Sequence, residues 1–129
     1  MSSVRLDVMA KALGEYLSTL PAGQVVYMYL FGSEDPRTGK SWCSDCSDAD
    51  PLIHRTVATF HAVLIQCPVG DRASWKSADN GFRVDERFRL TAIPTVIKWL
   101  DGEELSRVVE DGCKDEAVLM EFFRPDGQI

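Results

Sequence analysis

The 129-residue sequence has no run of basic residues, no long apolar stretch and no low-complexity segment or repeat. Each absence removes a class of function. Lys and Arg number 14 against 20 Asp and Glu, for a formal net charge of −6. An acidic chain without a basic stripe does not attract phosphate backbones or anionic lipid, so neither nucleic acid nor a membrane is expected as a partner. The longest apolar runs, such as residues 25–31, fall far short of the roughly 20 residues that cross a bilayer. The N-terminus, Met-Ser-Ser-Val-Arg-Leu-Asp, lacks the basic start, apolar core and small-residue cleavage site of a signal peptide, which predicts a cytosolic protein. Cysteine is scarce and unevenly placed: of four, Cys43 and Cys46 form a close pair while Cys67 and Cys113 stand alone. In a reducing compartment, any disulfide among them is expected to be transient and catalytic rather than structural.

What is present is ordinary globular composition, 45% hydrophobic and 26% charged, in a length that predicts one domain over residues 1–129. Residues 4–20 place Met9, Leu13, Tyr16, Leu17 and Leu20 on one helical stripe, ended by Pro21 and Gly23. Residues 25–31 read as a strand covered on both faces. A polar loop over 32–41 follows. A helix from about Cys43 to His61 buries Ala49, Ile53, Val57 and Phe60, with Pro51 expected to kink it. Residues 63–69 form the next strand. An irregular segment with Trp75 leads to a short helix capped by Asp79 that includes Phe82 and Phe88. Strands over 96–100 and 105–109 flank the hairpin signal Asp101-Gly102. A last helix over 114–123 buries Val118, Leu119, Phe122 and Phe123. The order α-β-α-β-α-β-β-α predicts an α/β fold with a mixed central sheet and helices on both faces.

The chemistry is carried by Lys40-Ser41-Trp42-Cys43-Ser44-Asp45-Cys46. Disulfide exchange needs one thiolate that attacks and a second thiol that resolves. Cysteines at i and i+3 at a helix start lie roughly 5–6 Å apart at Cβ, so a disulfide ring can close with little backbone movement. Cys43 sits at the helix tip, beside unpaired N–H groups and the positive end of the dipole, which favours its thiolate. Cys46 lies a turn deeper. Cys43 is therefore the expected nucleophile and Cys46 the resolving thiol. A zinc site would need two more ligands, usually a second close pair, and Cys67, Cys113, His54 and His61 do not supply one by spacing. No metal and no bound cofactor is expected; the redox centre is the Cys43–Cys46 pair itself.

Ile93-Pro94 opens a strand, where proline cannot donate to the ladder. A trans turn proline is the ordinary case, since only about 5–6% of X–Pro bonds are cis. A cis bond would expose the backbone of Ile93 to an extended substrate as an added short strand.

A buried strand, then W-C-x-x-C, a helix with proline five residues past the second cysteine, and I-P-T before a hairpin together resemble the thioredoxin family over nearly the whole chain. The finer pattern resembles a small branch of that family whose motif is W-C-P-D-C after a longer loop. It is carried by Gly39 to Cys43, Asp45-Cys46, Val69-Gly70, Trp75-Lys76, Pro94-Thr95 and the extra cysteines Cys67 and Cys113. The resemblance implies a cytosolic reductase of disulfide-containing peptides, proteins or cystine-like small disulfides, attacking through Cys43. It implies recharging by thioredoxin reductase, with electrons from NADPH. It also implies a cis bond at Pro94.

Two departures stand out. Ser44 replaces the branch's proline, freeing φ and restoring a backbone donor beside the active sulfur. Tyr29 stands where thioredoxin has a buried strand aspartate, so the proton acceptor for Cys46 is missing from its usual place. Asp45, between the cysteines, is the candidate for that work, and as an acid in the first helical turn it also suits the dipole. Trp42, Ser44, Ile93 and Pro94 are expected to meet the substrate, with Trp42 packing beside the disulfide. The loop over 32–41 is long for a strand-to-helix connection and is expected to wall one side of the site. Cys67 is expected to be buried and inert, and Cys113 either inert or a secondary redox site. The protein is expected to be a monomer. Two rival functions fit the same sequence, a thioredoxin-fold binding adaptor with an idle redox centre and a thiol peroxidase acting through Cys43.

Overall fold

The computed structural model describes residues 2–125. A five-stranded mixed sheet has the order β1-β3-β2-β4-β5. Its strands are β1 Val4–Arg5, β2 Val26–Phe31, β3 Leu64–Pro68, β4 Thr95–Leu100 and β5 Glu103–Val109. β1 and β2 run parallel to β3; β2–β4 and β4–β5 are antiparallel. The helices are α1 Ala10–Leu17, α2 Ser44–Phe60, α3 Arg72–Lys76, α4 Gly81–Val84 and α5 Glu116–Phe123, with a 3₁₀ helix over Glu110–Lys114.

The β2 run Val-Tyr-Met-Tyr-Leu-Phe is buried at every position because helices cover both its faces. Alternation sorts its side chains. Tyr27 meets Phe122 and Phe123 of α5, and Tyr29 faces His54 of α2. Val26 pairs with Trp99, whose ring meets Phe88 on the opposite face. The Asp101-Gly102 turn has positive φ at both residues (49° and 82°), the geometry of a tight hairpin between twisted strands.

Several boundaries differ from the sequence reading. The segment 4–20 is not one helix: Val4–Arg5 adds a parallel edge strand to β3, and Met9 is an exposed N-cap residue, so α1 begins at Ala10. A two-residue strand is too short to show a period. The segment around Trp75 is helical, because Asp71 accepts from the Ser74 N–H at 2.8 Å and caps α3. The next helix, α4, is capped by Asn80 rather than Asp79; Asn80 Oδ1 accepts from Phe82 N–H at 2.9 Å, and Phe88 lies beyond the helix, fully buried. The final helix starts at Glu116, after the separate 3₁₀ turn, and Val118 stays exposed while Leu119 and Phe123 are buried. α2 continues through Pro51. Its Ala49 and Ile53 are fully buried, whereas Val57 and Phe60 are only partly so.

Candidate active site

β2 ends at Phe31, and the chain returns to the head of α2 through residues 32–43. Cys43 is the N-cap residue of α2, with extended backbone (φ −86°, ψ 112°). Its Sγ takes the place of the hydroxyl or carboxylate oxygen of an ordinary cap and accepts from the Cys46 backbone N–H at 3.2 Å. Ser41 prepares this turn. Its hydroxyl donates to the Gly32 carbonyl at 2.6 Å and accepts from the Cys43 N–H at 3.2 Å. Both thiols are free, with Cys43 8% exposed and Cys46 1% exposed.

The two sulfurs are electrostatically unlike. The Cys43 thiol is lowered to about 7, chiefly by the Cys46 side chain donating to its sulfur; burial opposes this, and the Cys46 backbone N–H adds to it. The Asp45 carboxylate raises it, as like charge must, and is outweighed. The Cys46 thiol is pushed far up, first by Cys43 and then by burial, against the Gly32 N–H that points at its sulfur from 3.5 Å. One proton is thus shared unequally, leaving the charge on the outer sulfur.

Across from Cys43, the Ile93–Pro94 peptide bond is cis, and the Ile93 carbonyl lies 4.0 Å from Cys43 Sγ. Trp42 flanks the pair. Its Nε1 donates to the Gly70 carbonyl at 2.9 Å, and the Arg72 guanidinium sits 4.8 Å above its ring. Gly70 has φ +117° and its carbonyl also accepts from the Ser33 N–H at 3.0 Å, so a residue with a side chain would be strained there. Ser44 is exposed at the rim.

The long loop folds back on itself through an antiparallel bridge between Glu34 and Ser41 and a 2.8 Å bond from Asp35 N–H to the Lys40 carbonyl. Arg5 of β1 holds it from outside, with a fork to Glu34 at 2.7 and 2.8 Å. Between loop and helix lies a cavity of about 380 Å³, lined among others by Tyr29, Glu34, Lys40, Cys46 and Asp50. It opens on the resolving cysteine rather than on the nucleophile.

The Asp45 backbone N–H helps to lower the Cys43 thiol, but the Asp45 carboxylate makes no described hydrogen bond to either sulfur. Its Oδ1 accepts from Lys114 Nζ at 2.9 Å, tying α2 to the 3₁₀ helix. Asp50, which the sequence reading did not single out, lies one helical turn beyond Cys46. Its Oδ1 accepts from the Tyr29 hydroxyl at 3.0 Å and lies 3.3 Å from His54 Nε2. The i,i+4 spacing from Cys46 was the available signal. Burial first, and then the Asp50 carboxylate, push the Tyr29 hydroxyl well above its ordinary range, so Tyr29 stays a donor. The Cys67 and Cys113 thiols are fully buried, and burial raises them to about 11 and about 12. Cys113 Sγ donates to the Pro94 carbonyl at 3.5 Å and the Val108 carbonyl at 3.4 Å. Among the described residues, no group of three or more His, Cys, Asp or Glu side chains is placed to hold a metal ion.

Comparison with known proteins fits this geometry. The family model described as thioredoxin domain-containing protein 17-like, thioredoxin domain, matches residues 8–125. Thioredoxin domain-containing protein 17 of Mus musculus is 36% identical over 106 residues, covering 81% of each chain. The thioredoxin-like protein Clot of Arabidopsis thaliana is 38% identical over 90 residues, 68% of this chain and 66% of that one. Among solved structures, Schistosoma mansoni thioredoxin matches with a TM-score of 0.64 over 95% of this chain and 93% of the other, at 17% identity, a likeness of fold. The chain therefore belongs to the thioredoxin domain-containing protein 17-like family, and it carries at the head of α2 a cysteine pair of the thiol–disulfide oxidoreductase kind.

Proposed function

We propose that the protein is a cytosolic disulfide reductase in which Cys43 attacks and Cys46 resolves. The observation that carries this reading is Cys43 Sγ at the N-cap of α2, accepting from the Cys46 N–H at 3.2 Å, with its thiol lowered to about 7. Near neutral pH such a sulfur is substantially thiolate while keeping the nucleophilicity of a thiol whose pKa matches the medium. The Cys43 thiolate attacks one sulfur of the substrate disulfide, forming a mixed disulfide and releasing the other half as a thiolate. Cys46 then loses its proton and attacks Cys43 Sγ. The second half of the substrate leaves, and the Cys43–Cys46 disulfide holds the two electrons' worth of oxidation.

The substrates are disulfide-containing peptides, proteins or cystine-like small molecules. The backbone of Ile93 and Pro94, with Trp42 and Ser44, forms the surface they meet, and the loop over 32–41 limits their size. Thioredoxin reductase restores the dithiol with electrons from NADPH, and the protein works as a monomer over one domain. Asp45 serves the first helical turn and its Lys114 contact. The test is NADPH oxidation in the presence of thioredoxin reductase, this protein and cystine or insulin. Turnover that vanishes in Cys43→Ser supports the reading. No turnover on any disulfide in a panel would turn it toward a binding adaptor.

A further inference from the structure

The second step needs somewhere for the Cys46 proton to go, and Cys46 is 1% exposed. The geometry points to Asp50 as the group that takes this proton, across the cavity that Cys46 and Asp50 both line. The inference rests on the dithiol mechanism above and adds a residue to it.

Four observations support it. Cys46 and Asp50 are i,i+4 neighbours on α2, with Cβ atoms about 5–6 Å apart, a separation that a single water spans. The cavity between them, about 380 Å³, has room for water, whose share of liquid volume is about 30 Å³. Asp50 is held in place rather than free to turn, by the Tyr29 hydroxyl at 3.0 Å and His54 Nε2 at 3.3 Å. The other charged groups at the cavity are otherwise placed. Glu34 is taken by the Arg5 fork, Asp48 lies on the exposed rim of the cavity at i,i+2 from Cys46, a spacing that does not face the sulfur along the helix as i,i+4 does, and Lys40 is a cation. Asp45, the other carboxylate near the pair, is occupied by Lys114.

The charge balance favours this step at the right moment. In the free dithiol the Cys43 thiolate is the largest cause holding the proton on Cys46. Once Cys43 is in a mixed disulfide that charge is gone, while burial still opposes a Cys46 thiolate. Transfer from Cys46 S–H to Asp50 carboxylate keeps one negative charge in the cavity and moves it onto the attacking sulfur. The S–S bond from Cys43 to Cys46 forms, the bond from Cys43 to the substrate breaks, and the released thiolate is protonated from Asp50 or from solvent. Among the described residues, the cations facing this site are His54, whose imidazolium is favoured by Asp50, Arg5, which lowers the Asp50 carboxyl, and Lys40 on the cavity wall.

The experiment is a single turnover of the reduced protein with dipyridyl disulfide. One thiopyridone is released when Cys43 forms the mixed disulfide, and a second when Cys46 resolves it. Asp50→Asn is expected to leave the first phase unchanged and to slow the second about 10²-fold at neutral pH. The deficit shrinks as rising pH ionises Cys46 directly. Asp50→Glu restores most of the rate, and Asp45→Asn leaves the second phase unchanged. Removing a like charge alone would favour the Cys46 thiolate and speed the second phase, so the sign separates proton transfer from mere electrostatics. A normal first phase with an unaltered or faster second phase in Asp50→Asn overturns the Asp50 step, as does a deficit that is equal at all pH. A missing first phase in the unsubstituted protein overturns the dithiol reading and this step together.

Discussion

The indole of Trp42 occupies the space a methyl group on Gly32 would need: a Cβ there would come within 2.8 Å of Trp42 Cε2. The same glycine points its N–H at Cys46 Sγ and offers its carbonyl to Ser41. Gly32→Ala is therefore expected to push the ring off the Gly70 carbonyl and to loosen the turn that carries Cys43. Overpacking of this kind costs about 1–3 kcal/mol. Urea unfolding should show that loss, together with slower alkylation of Cys43 at neutral pH.

Alkylation by iodoacetamide, followed by mass spectrometry across pH, should give a single reactive cysteine with a midpoint near 7, assigned to Cys43. Cys67 and Cys113, held at about 11 and about 12 by burial, should remain unmodified in the native protein. Cys46→Ala removes the side-chain donor that is the main cause of the low value, so the midpoint should rise while the backbone N–H keeps it below that of a free thiol.

Lys114 neutralises the carboxylate that works against the Cys43 thiolate. Lys114→Gln should raise the alkylation midpoint of Cys43, and Lys114→Arg should not. An unchanged midpoint in Lys114→Gln would show that solvent already screens Asp45 from the sulfur.

His54 and Asp50 give stability a pH window. His54 is raised, first by Asp50, so its contribution is whole below the ordinary imidazole range and lost as pH rises through its folded value. Asp50 is lowered, first by His54, so its contribution is present above the ordinary carboxylate range and lost as pH falls through its folded value. The pair should count most between about pH 4 and 6.5. His54→Gln should cost more stability in urea at about pH 5.5 than at about pH 8. Equal losses at both would remove the ion pair from the account.

Much of this was legible in the sequence where a pattern outlasts a few residues. The six buried positions of β2, the Asp101-Gly102 turn and the cysteines at the start of α2 all carry local signals that tertiary packing reinforces. The cis bond at Pro94 was legible only through likeness to a family, because a lone X–Pro pair favours trans. β1 was invisible since two residues have no period, and its pairing with β3 spans some sixty positions of chain. Asp50 was hidden for another reason. An acid on an amphipathic helix reads as solvated until Tyr29 on a separate strand is seen to reach it. Asp45 was legible as an acid in the first turn of α2, but its contact with Lys114 was not, because that partner lies 69 positions away in the chain.

The Arg5 fork on Glu34 makes the first few residues a tether for the rim of the site. Arg5 lies ahead of the region 8–125 that matches the family model. A protein trimmed to that region would keep both sulfurs and lose the clasp, and its substrate range should widen toward bulkier disulfides.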